Sequence, residues 1–359
     1  MIKSDHRSIT SRELLRFKKY QQKIFFQKAD IFLSGNKFDL LNVNLNEDVA
    51  IPKIFAELGE GVKETTLLER STLHKVFKVR TEKSRYALRV NLLNDLYMEF
   101  NFYIEDWVLK QLSGRELSNL KVCKIDISRK EVPFDYEIMD WAEGVTLYDL
   151  AKKQDLSEDL LFKLGQVIGK LHQIKLRNFG PLNVESIFNN CGEGIYNLWS
   201  DYVLKNFNKH LIFCLQKGII DQSLNKKIVE LLDNKRIPNL GNPVLLHGDI
   251  ANHNVFTDGK NITALIDWED CLSGDPVYDI AYYGTGTFNH PDWYDTFLSG
   301  YKSINVLPDD FYYRYWVYFL RISIAKAIIR FNLNTSKGKY LPSISERIKE
   351  GVKNLITLS

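Results

Sequence analysis

The stretch that most constrains this chain is Leu245-Leu246-His247-Gly248-Asp249-Ile250-Ala251-Asn252-His253-Asn254-Val255-Phe256, followed by Ala264-Leu265-Ile266-Asp267-Trp268. Two apolar runs rich in Val, Leu and Ile read as short buried strands. Each delivers polar residues at or just past its end. Asp249 and Asn254 are five apart, and Asp267 comes eighteen after Asp249. Thr257-Asp258-Gly259-Lys260-Asn261 between them reads as a hairpin connection. One rigid local element therefore presents two carboxylates and an amide.

Phosphoryl transfer from a nucleotide needs that set: a carboxylate to accept the proton of the attacking hydroxyl, and an amide oxygen and second carboxylate to hold magnesium on the phosphates. His-Gly-Asp-(x)4-Asn followed by Ile-Asp-Trp resembles the catalytic and metal-binding loops of the aminoglycoside phosphotransferase and choline kinase superfamily, small-molecule relatives of protein kinases. The resemblance implies a two-lobed α+β fold, with a small antiparallel-sheet N-lobe and a larger, mainly helical C-lobe. It implies Asp249 as catalytic base and Asn254 and Asp267 as Mg²⁺ ligands. His247 and Asp279 are expected to support the loop structurally.

Composition narrows the class. The 359 residues are 45% hydrophobic and 26% charged, enough for two lobes with separate cores. A net charge of +3 is too small to argue for nucleic acid or an anionic membrane. Cys123, Cys191, Cys214 and Cys271 are scattered, with no C-x-x-C pair, which argues against a zinc site and a disulfide framework. No apolar h-region follows the start and no run of eighteen apolar residues occurs, so a cytoplasmic setting is expected.

The expected division is a helical extension over residues 1–50, a nucleotide-binding N-lobe over 51–142 ending in a hinge, and a C-lobe over 143–359. In the extension, Thr10-Ser11-Arg12-Glu13 has the form of a capping box. Leu14, Phe17, Tyr20, Ile24 and Phe25 follow as a helical stripe, beside a basic face that includes Lys28. The reading is a helix packed on the small lobe with solvated lysines.

Residues 64–68, 75–80 and 86–90 read as three antiparallel strands. The glycine-free connection from Glu69 to His74 falls where the resembling fold covers the triphosphate, so Ser71 and Thr72 are the expected phosphate contacts. Gly59-Glu60-Gly61 is the alternative. Arg89 falls where relatives place a basic residue on the third strand, and its fork suits two phosphate oxygens. Glu105, with Leu109 and Leu112 behind it, is expected to orient Arg89, with Glu99 as runner-up. The Met139-Asp140-Trp141 segment resembles the hinge, where adenine would bond to main chain near Asp140 and Ala142.

In the large lobe, Leu161, Leu164, Ile168 and Leu171 mark the buried face of a long helix. Gly165 and Gly169 in that helix suggest close approach by another. His172 reads as structural or surface. Asp275 reads as a cap for a helix entered at Pro276. Phe311 to Leu333 reads as an aromatic-rich helix packing a core, with Arg314, Arg321 and Arg330 on a polar rim.

The expected activity is ATP- or GTP-dependent phosphorylation of a small-molecule hydroxyl. Choline-like amines, methylthioribose and homoserine are further acceptors handled by relatives. The absence of Asp-Phe-Gly and Ala-Pro-Glu argues against a protein kinase. The filled polar positions argue against a non-catalytic nucleotide-binding module. Between Lys260 and Lys302 there is no Lys or Arg, but Glu269, Asp270, Asp292 and Asp295 lie there without an assigned role. An acidic rim would attract a cation, so a cationic amino-sugar acceptor is expected, held by Glu269 and Asp270. That would make the protein an antibiotic-resistance enzyme. No nucleic acid or membrane partner is expected, and oligomeric state is left open.

Overall fold

The structure, a computed structural model, describes residues 25–33, 46–70, 74–91, 101–115, 117, 120–232, 237, 241–333 and 341–358. Five antiparallel strands form the small lobe: β1 (Val62–Arg70), β2 (His74–Thr81), β3 (Arg85–Asn91), β4 (Val122–Asp126) and β5 (Tyr136–Asp140), in the order β1-β2-β3-β5-β4. Alternation along β2 buries Phe77 and Val79, and along β3 buries Leu88 and Val90. Ile51, Ile54 and Phe55 of the Glu47–Ala56 helix close that face. A second, larger core spans the remaining helices and reaches back to Ile104, Trp107 and Val108 of the Asn101–Ser113 helix.

The hinge side meets the catalytic segment through a small sheet. Here β6 (Val145–Thr146) pairs with β10 (Val255–Thr257), and β10 pairs with β11 (Ile262–Leu265). The hairpin between β10 and β11 closes as its residues imply. The Asp258 carboxylate accepts from the backbone N–H of Lys260 (2.8 Å) and of Asn261 (2.7 Å). A third sheet orders β8 (Gly194–Tyr196), β7 (Phe179–Leu182), β12 (Leu272–Gly274) and β9 (Val244–Leu246), with β9 feeding the catalytic loop.

Ser157 caps the Glu158–Leu171 helix through a bond from the Leu160 N–H (3.3 Å). The expected close approach is present at Gly165. A Cβ there would stand 2.0 Å from the Phe297 carbonyl oxygen of the Pro291–Lys302 helix. Asp275 caps the Pro276–Gly286 helix through the Val277 N–H (3.1 Å).

Two readings need correction. The Phe25–Leu33 helix packs on the large lobe, not the small one. Phe26 and Ala29 are fully buried in the larger core, with the Phe26 ring 5.0 Å from Tyr202. Asp30 accepts from His210 Nε2 and Asn206 Nδ2, both at 2.8 Å. The capping box and the rest of that stripe before Phe25 lie outside the described residues. Arg321, read as rim, is 0% exposed. Its guanidinium lies 3.9 Å from the Phe26 ring centroid and donates to the carbonyls of Val203 (2.7 Å) and Lys205 (3.1 Å). A charge can be buried there because carbonyls at and just past the C-terminal end of the Trp199–Val203 helix receive it. No helix among the described residues is long and apolar enough to cross a membrane.

Candidate active site

Asp249 lies just past β9, with its backbone fixed on both sides. Its N–H donates to His247 Nδ1 (3.3 Å), and its carbonyl accepts from Asn254 Nδ2 (3.0 Å). His247 Nε2 donates to the Ile266 carbonyl (3.0 Å), so the two contacts together set the tautomer. Burial pushes the imidazole below its ordinary value, which keeps it neutral. The ring also packs on Trp268, centroids 4.4 Å apart.

Asp279 braces the same turn from the Pro276–Gly286 helix. Its carboxylate accepts from the N–H groups of His247 (2.7 Å) and Gly248 (2.9 Å). His172 Nε2 approaches it at 3.2 Å, while the other ring nitrogen meets the Tyr301 hydroxyl at 3.0 Å. Gly248 has φ +81°, and a Cβ there would fall 2.0 Å from the Asp270 carbonyl oxygen. Only glycine fits both conditions.

Asp267 follows β11 in the left-handed region, at φ 67°. Asp tolerates that region better than most residues, at a cost of order 1–3 kcal/mol. The conformation points to a position held by its surroundings. The N–H of Ile266, one residue earlier, donates to the Asn254 carbonyl (3.0 Å), tying the two loops together. Burial, then Glu269 and Asp249, push the Asp267 carboxyl well up. A buried carboxylate among other carboxylates is a place that a cation relieves.

Across the cleft, Arg89 Nη2 donates to Glu105 at 2.5 Å and lies 3.1 Å from Glu137. Glu137 is the residue the sequence reading missed. It sits opposite Arg89 in the β3–β5 register. Burial pushes its carboxyl well up, with Arg89 pulling the other way. Burial also opposes the guanidinium charge, but Glu105 and Glu137 outweigh it and hold the group protonated.

Two further groups missed from sequence interact with Asp249. The Tyr282 hydroxyl hydrogen-bonds to Asp249. Lys326 Nζ lies 3.7 Å from the Tyr282 ring centroid and donates to Thr285 Oγ1 (2.7 Å). Burial pushes this ammonium down to about 7, against the attraction of Asp249. A Lys-sized break in the apolar run Ser323-Ile324-Ala325-Lys326-Ala327-Ile328 was the available signal.

The expected acidic rim is not open. Glu269 and Asp270 are 13% and 5% exposed at their side chains, and both bind Lys28 Nζ, with Asp270 Oδ2 at 2.9 Å. Glu269 also faces His74 Nε2 at 3.4 Å. Burial opposes the Glu269 charge, but Lys28, His74 and Arg89 together hold that carboxyl below its ordinary value. These two acids are spent on the protein's own cation. Asp292 and Asp295, by contrast, are exposed. At the hinge, the Asp140 N–H already donates to the Lys121 carbonyl (2.9 Å), whereas Ala142 carries no hydrogen bond among the described residues. Ser71, Thr72 and Glu99 lie outside the described residues.

The donor set fits magnesium. Asn254 spends its amide nitrogen on Asp249, which leaves the amide oxygen for a cation, and Asp267 adds a carboxylate. Among the described residues no group of three or more His, Cys, Asp or Glu forms a metal cluster. Two hard oxygen ligands are what an ion completed by phosphate and water needs.

Comparisons with known proteins give the fold and the family. Hygromycin-B 4-O-kinase of Escherichia coli is 25% identical over 243 residues, a match spanning 65% of this chain and 65% of that enzyme. A thermostable mutant of aminoglycoside phosphotransferase APH(4)-Ia, in its apo form, superposes with a TM-score of 0.62 at 22% identity, covering 84% of this chain and 97% of that one. A macrolide 2'-phosphotransferase from Brachybacterium faecium gives a TM-score of 0.55 at 16% identity, over 83% and 97% of the two chains. Both structures share the two-lobed α+β fold. The profile of the phosphotransferase enzyme family matches residues 64–314, well over half of the chain and the whole span from β1 past the catalytic and metal loops, so the chain belongs to that family.

Proposed function

We propose that this protein transfers a phosphoryl group from ATP or GTP, with Mg²⁺, to a hydroxyl of a small aminoglycoside-like molecule. The observation that carries the reading is the position of Asp249. Its backbone is clamped by His247 and Asn254, and its carboxylate faces Tyr282. A carboxylate so held accepts the acceptor's proton as the hydroxyl oxygen attacks phosphorus. Asn254 and Asp267 would hold the metal, which neutralises developing charge on the phosphates. Arg89 holds a fixed positive fork on the phosphate side, with Glu105 and Glu137 preventing its rotation. Ala142, with no main-chain hydrogen bond among the described residues, would offer its main-chain groups to the base. Residues 1–50, 51–142 and 143–359 remain the working division, with the Phe25–Leu33 helix assigned to the C-lobe.

Asp267→Ala should lower Mg–nucleotide affinity and rate together. Calorimetry with Mg–AMP-PNP checks this, and unchanged affinity would remove Asp267 from the metal site.

The acceptor assignment rests on the likeness to hygromycin-B 4-O-kinase and on the exposed Asp292 and Asp295. It no longer rests on Glu269 and Asp270. Lys326 beside Asp249 favours an acceptor whose reacting hydroxyl lies on an uncharged part of the molecule, with its amines farther away. The test is an acceptor screen read by phosphate transfer to product. Hygromycin B and other aminoglycosides should be phosphorylated, with a KM that rises as salt screens their charge. Transfer only to neutral or anionic acceptors would sink the aminoglycoside reading.

A further inference from the structure

The catalytic loop fixes the main chain of Asp249 firmly and its carboxylate only weakly. The N–H and carbonyl are tied to His247 and Asn254 at 3.3 and 3.0 Å. Asn254 Nδ2 stands 3.5 Å from Asp249 Oδ2, at the outer limit of a hydrogen bond. A general base works only when its accepting oxygen points at the proton it takes. The closer hold on the carboxylate comes from another element, through the Tyr282 hydroxyl of the Pro276–Gly286 helix.

Tyr282 is held in turn. It is 5% exposed, and Lys326 Nζ lies over its ring face, 3.7 Å from the centroid. The same ammonium donates to Thr285 Oγ1 (2.7 Å), and the Thr285 hydroxyl donates to the Tyr282 carbonyl (2.7 Å). Lys326 thus grips Tyr282 twice, at the ring directly and at the main chain through Thr285. Its place in the Phe311–Asn332 helix is an apolar one, since Ile322, Ile324, Ala325, Ala327 and Ile328 around it are all buried. An ammonium drawn into such surroundings needs compensating partners. The ring quadrupole and the hydroxyl oxygen supply two of them. The cation also polarises the phenol, which strengthens its O–H as a donor to Asp249.

We propose that Tyr282 and Lys326 are positioning residues for phosphoryl transfer. The Tyr282 hydroxyl fixes one oxygen of the Asp249 carboxylate so that the other faces the acceptor hydroxyl, and the Lys326 ammonium locks the Tyr282 ring in that pose. The proposal rests on the phosphotransferase reading above and adds to it how the base is aimed.

The device depends on charge. Among the described residues, the charged and titratable groups facing Lys326 are Asp249 of the catalytic loop, Tyr282, Arg330 in its own helix and Arg347 of the Leu341–Leu358 helix. Burial opposes the Lys326 proton most, Asp249 favours it, and Arg330 and Arg347 oppose it, so the group is charged below about 7 and neutral above. As pH rises through that value, the hold on Tyr282 loosens and kcat should decline.

The experiment measures kcat and KM for hygromycin B with Mg–ATP across pH, and calorimetric affinity for Mg–AMP-PNP, in wild type, Tyr282→Phe, Lys326→Met and Lys326→Arg. Tyr282→Phe removes one oxygen and should lower kcat roughly 10- to 100-fold, the scale of a misplaced reacting group. Its KM and nucleotide affinity should stay near wild type, a split that loss of folded protein or of binding would not give. Wild-type kcat should show an alkaline limb near about 7. Lys326→Met should be slow on both sides of that pH and lack the limb. Lys326→Arg, whose charge does not titrate there, should be faster than Lys326→Met and also lack it. The proposal is overturned by a Tyr282→Phe kcat within about threefold of wild type, too small a change for an aimed base. A wild-type profile without the limb, the same limb in all four proteins, or Lys326→Arg no faster than Lys326→Met also overturns it, each while leaving phosphotransfer intact. Absence of transfer by wild type overturns the phosphotransferase reading itself, and this proposal with it.

Discussion

Asp249→Asn should lower kcat by at least about 10²–10⁴-fold, the range for loss of a general base. Affinity for Mg–AMP-PNP should stay near wild type. The replacement is nearly isosteric, and the backbone bonds that hold the residue, to His247 and Asn254, do not involve its carboxylate. An amide in that position has no lone pair basic enough to take the hydroxyl proton. It also presents an N–H toward the acceptor in one of its two orientations. The paired measurement is steady-state kcat with hygromycin B and calorimetric titration with Mg–AMP-PNP. A kcat within tenfold of wild type would remove Asp249 from proton transfer, whatever the nucleotide affinity.

The second large effect is structural in origin but catalytic in outcome. Asp279→Ala removes one carboxylate that accepts from two backbone N–H groups and faces His172. Asp279 is 0% exposed, so no water replaces it without a cavity. Each of the two stranded donors costs roughly 1–3 kcal/mol, so the variant should lose about 2–6 kcal/mol of stability. The loop from His247 to Asp249 should also lose its geometry, so kcat should fall in the fraction that remains folded. Asp279→Asn keeps one acceptor oxygen and should fall between the two. Urea unfolding with kcat measured on the same samples is the check. Stability within 0.5 kcal/mol of wild type, a difference of the size a surface change makes, would mean that the turn is held by other contacts.

What could be read from the sequence follows from how local each feature is. The catalytic loop and the Asp267 strand were legible because β10, β11 and their hairpin join them within about twenty residues, and turn chemistry at Asp258-Gly259 fixes the register. The crossing of two helices at Gly165 was legible because a spaced glycine pair has few other uses. Glu137 was missed although strand alternation places it opposite Arg89. The neighbouring Met139-Asp140 drew the eye to the hinge. Lys326 was hidden because it sits on a helix that is apolar on nearly every side, so no polar stripe marked it. Glu269 and Asp270 were misread for a different reason. A run of acids shows its charge in sequence, but not the cation folded over it from 241 and 242 residues upstream. The buried face of the first helix was visible, while the lobe that receives it was not, since amphipathicity names a buried side and says nothing of its partner.

That same helix has a consequence for biosynthesis. Among the described residues its seat includes Tyr202, His210, Glu269, Asp270 and Arg321, so Lys28 waits through 242 residues of elongation before Asp270 exists. At a translation rate of about 5–20 residues per second, this is on the order of ten to fifty seconds. The small lobe, made of contacts close in sequence, can form during that interval. The first helix cannot take its place against Tyr202 and Arg321 until those residues have been made. Docking it is a closing step of folding, one that joins the earliest residues described here to the last third of the polypeptide. Such long-range closure slows folding.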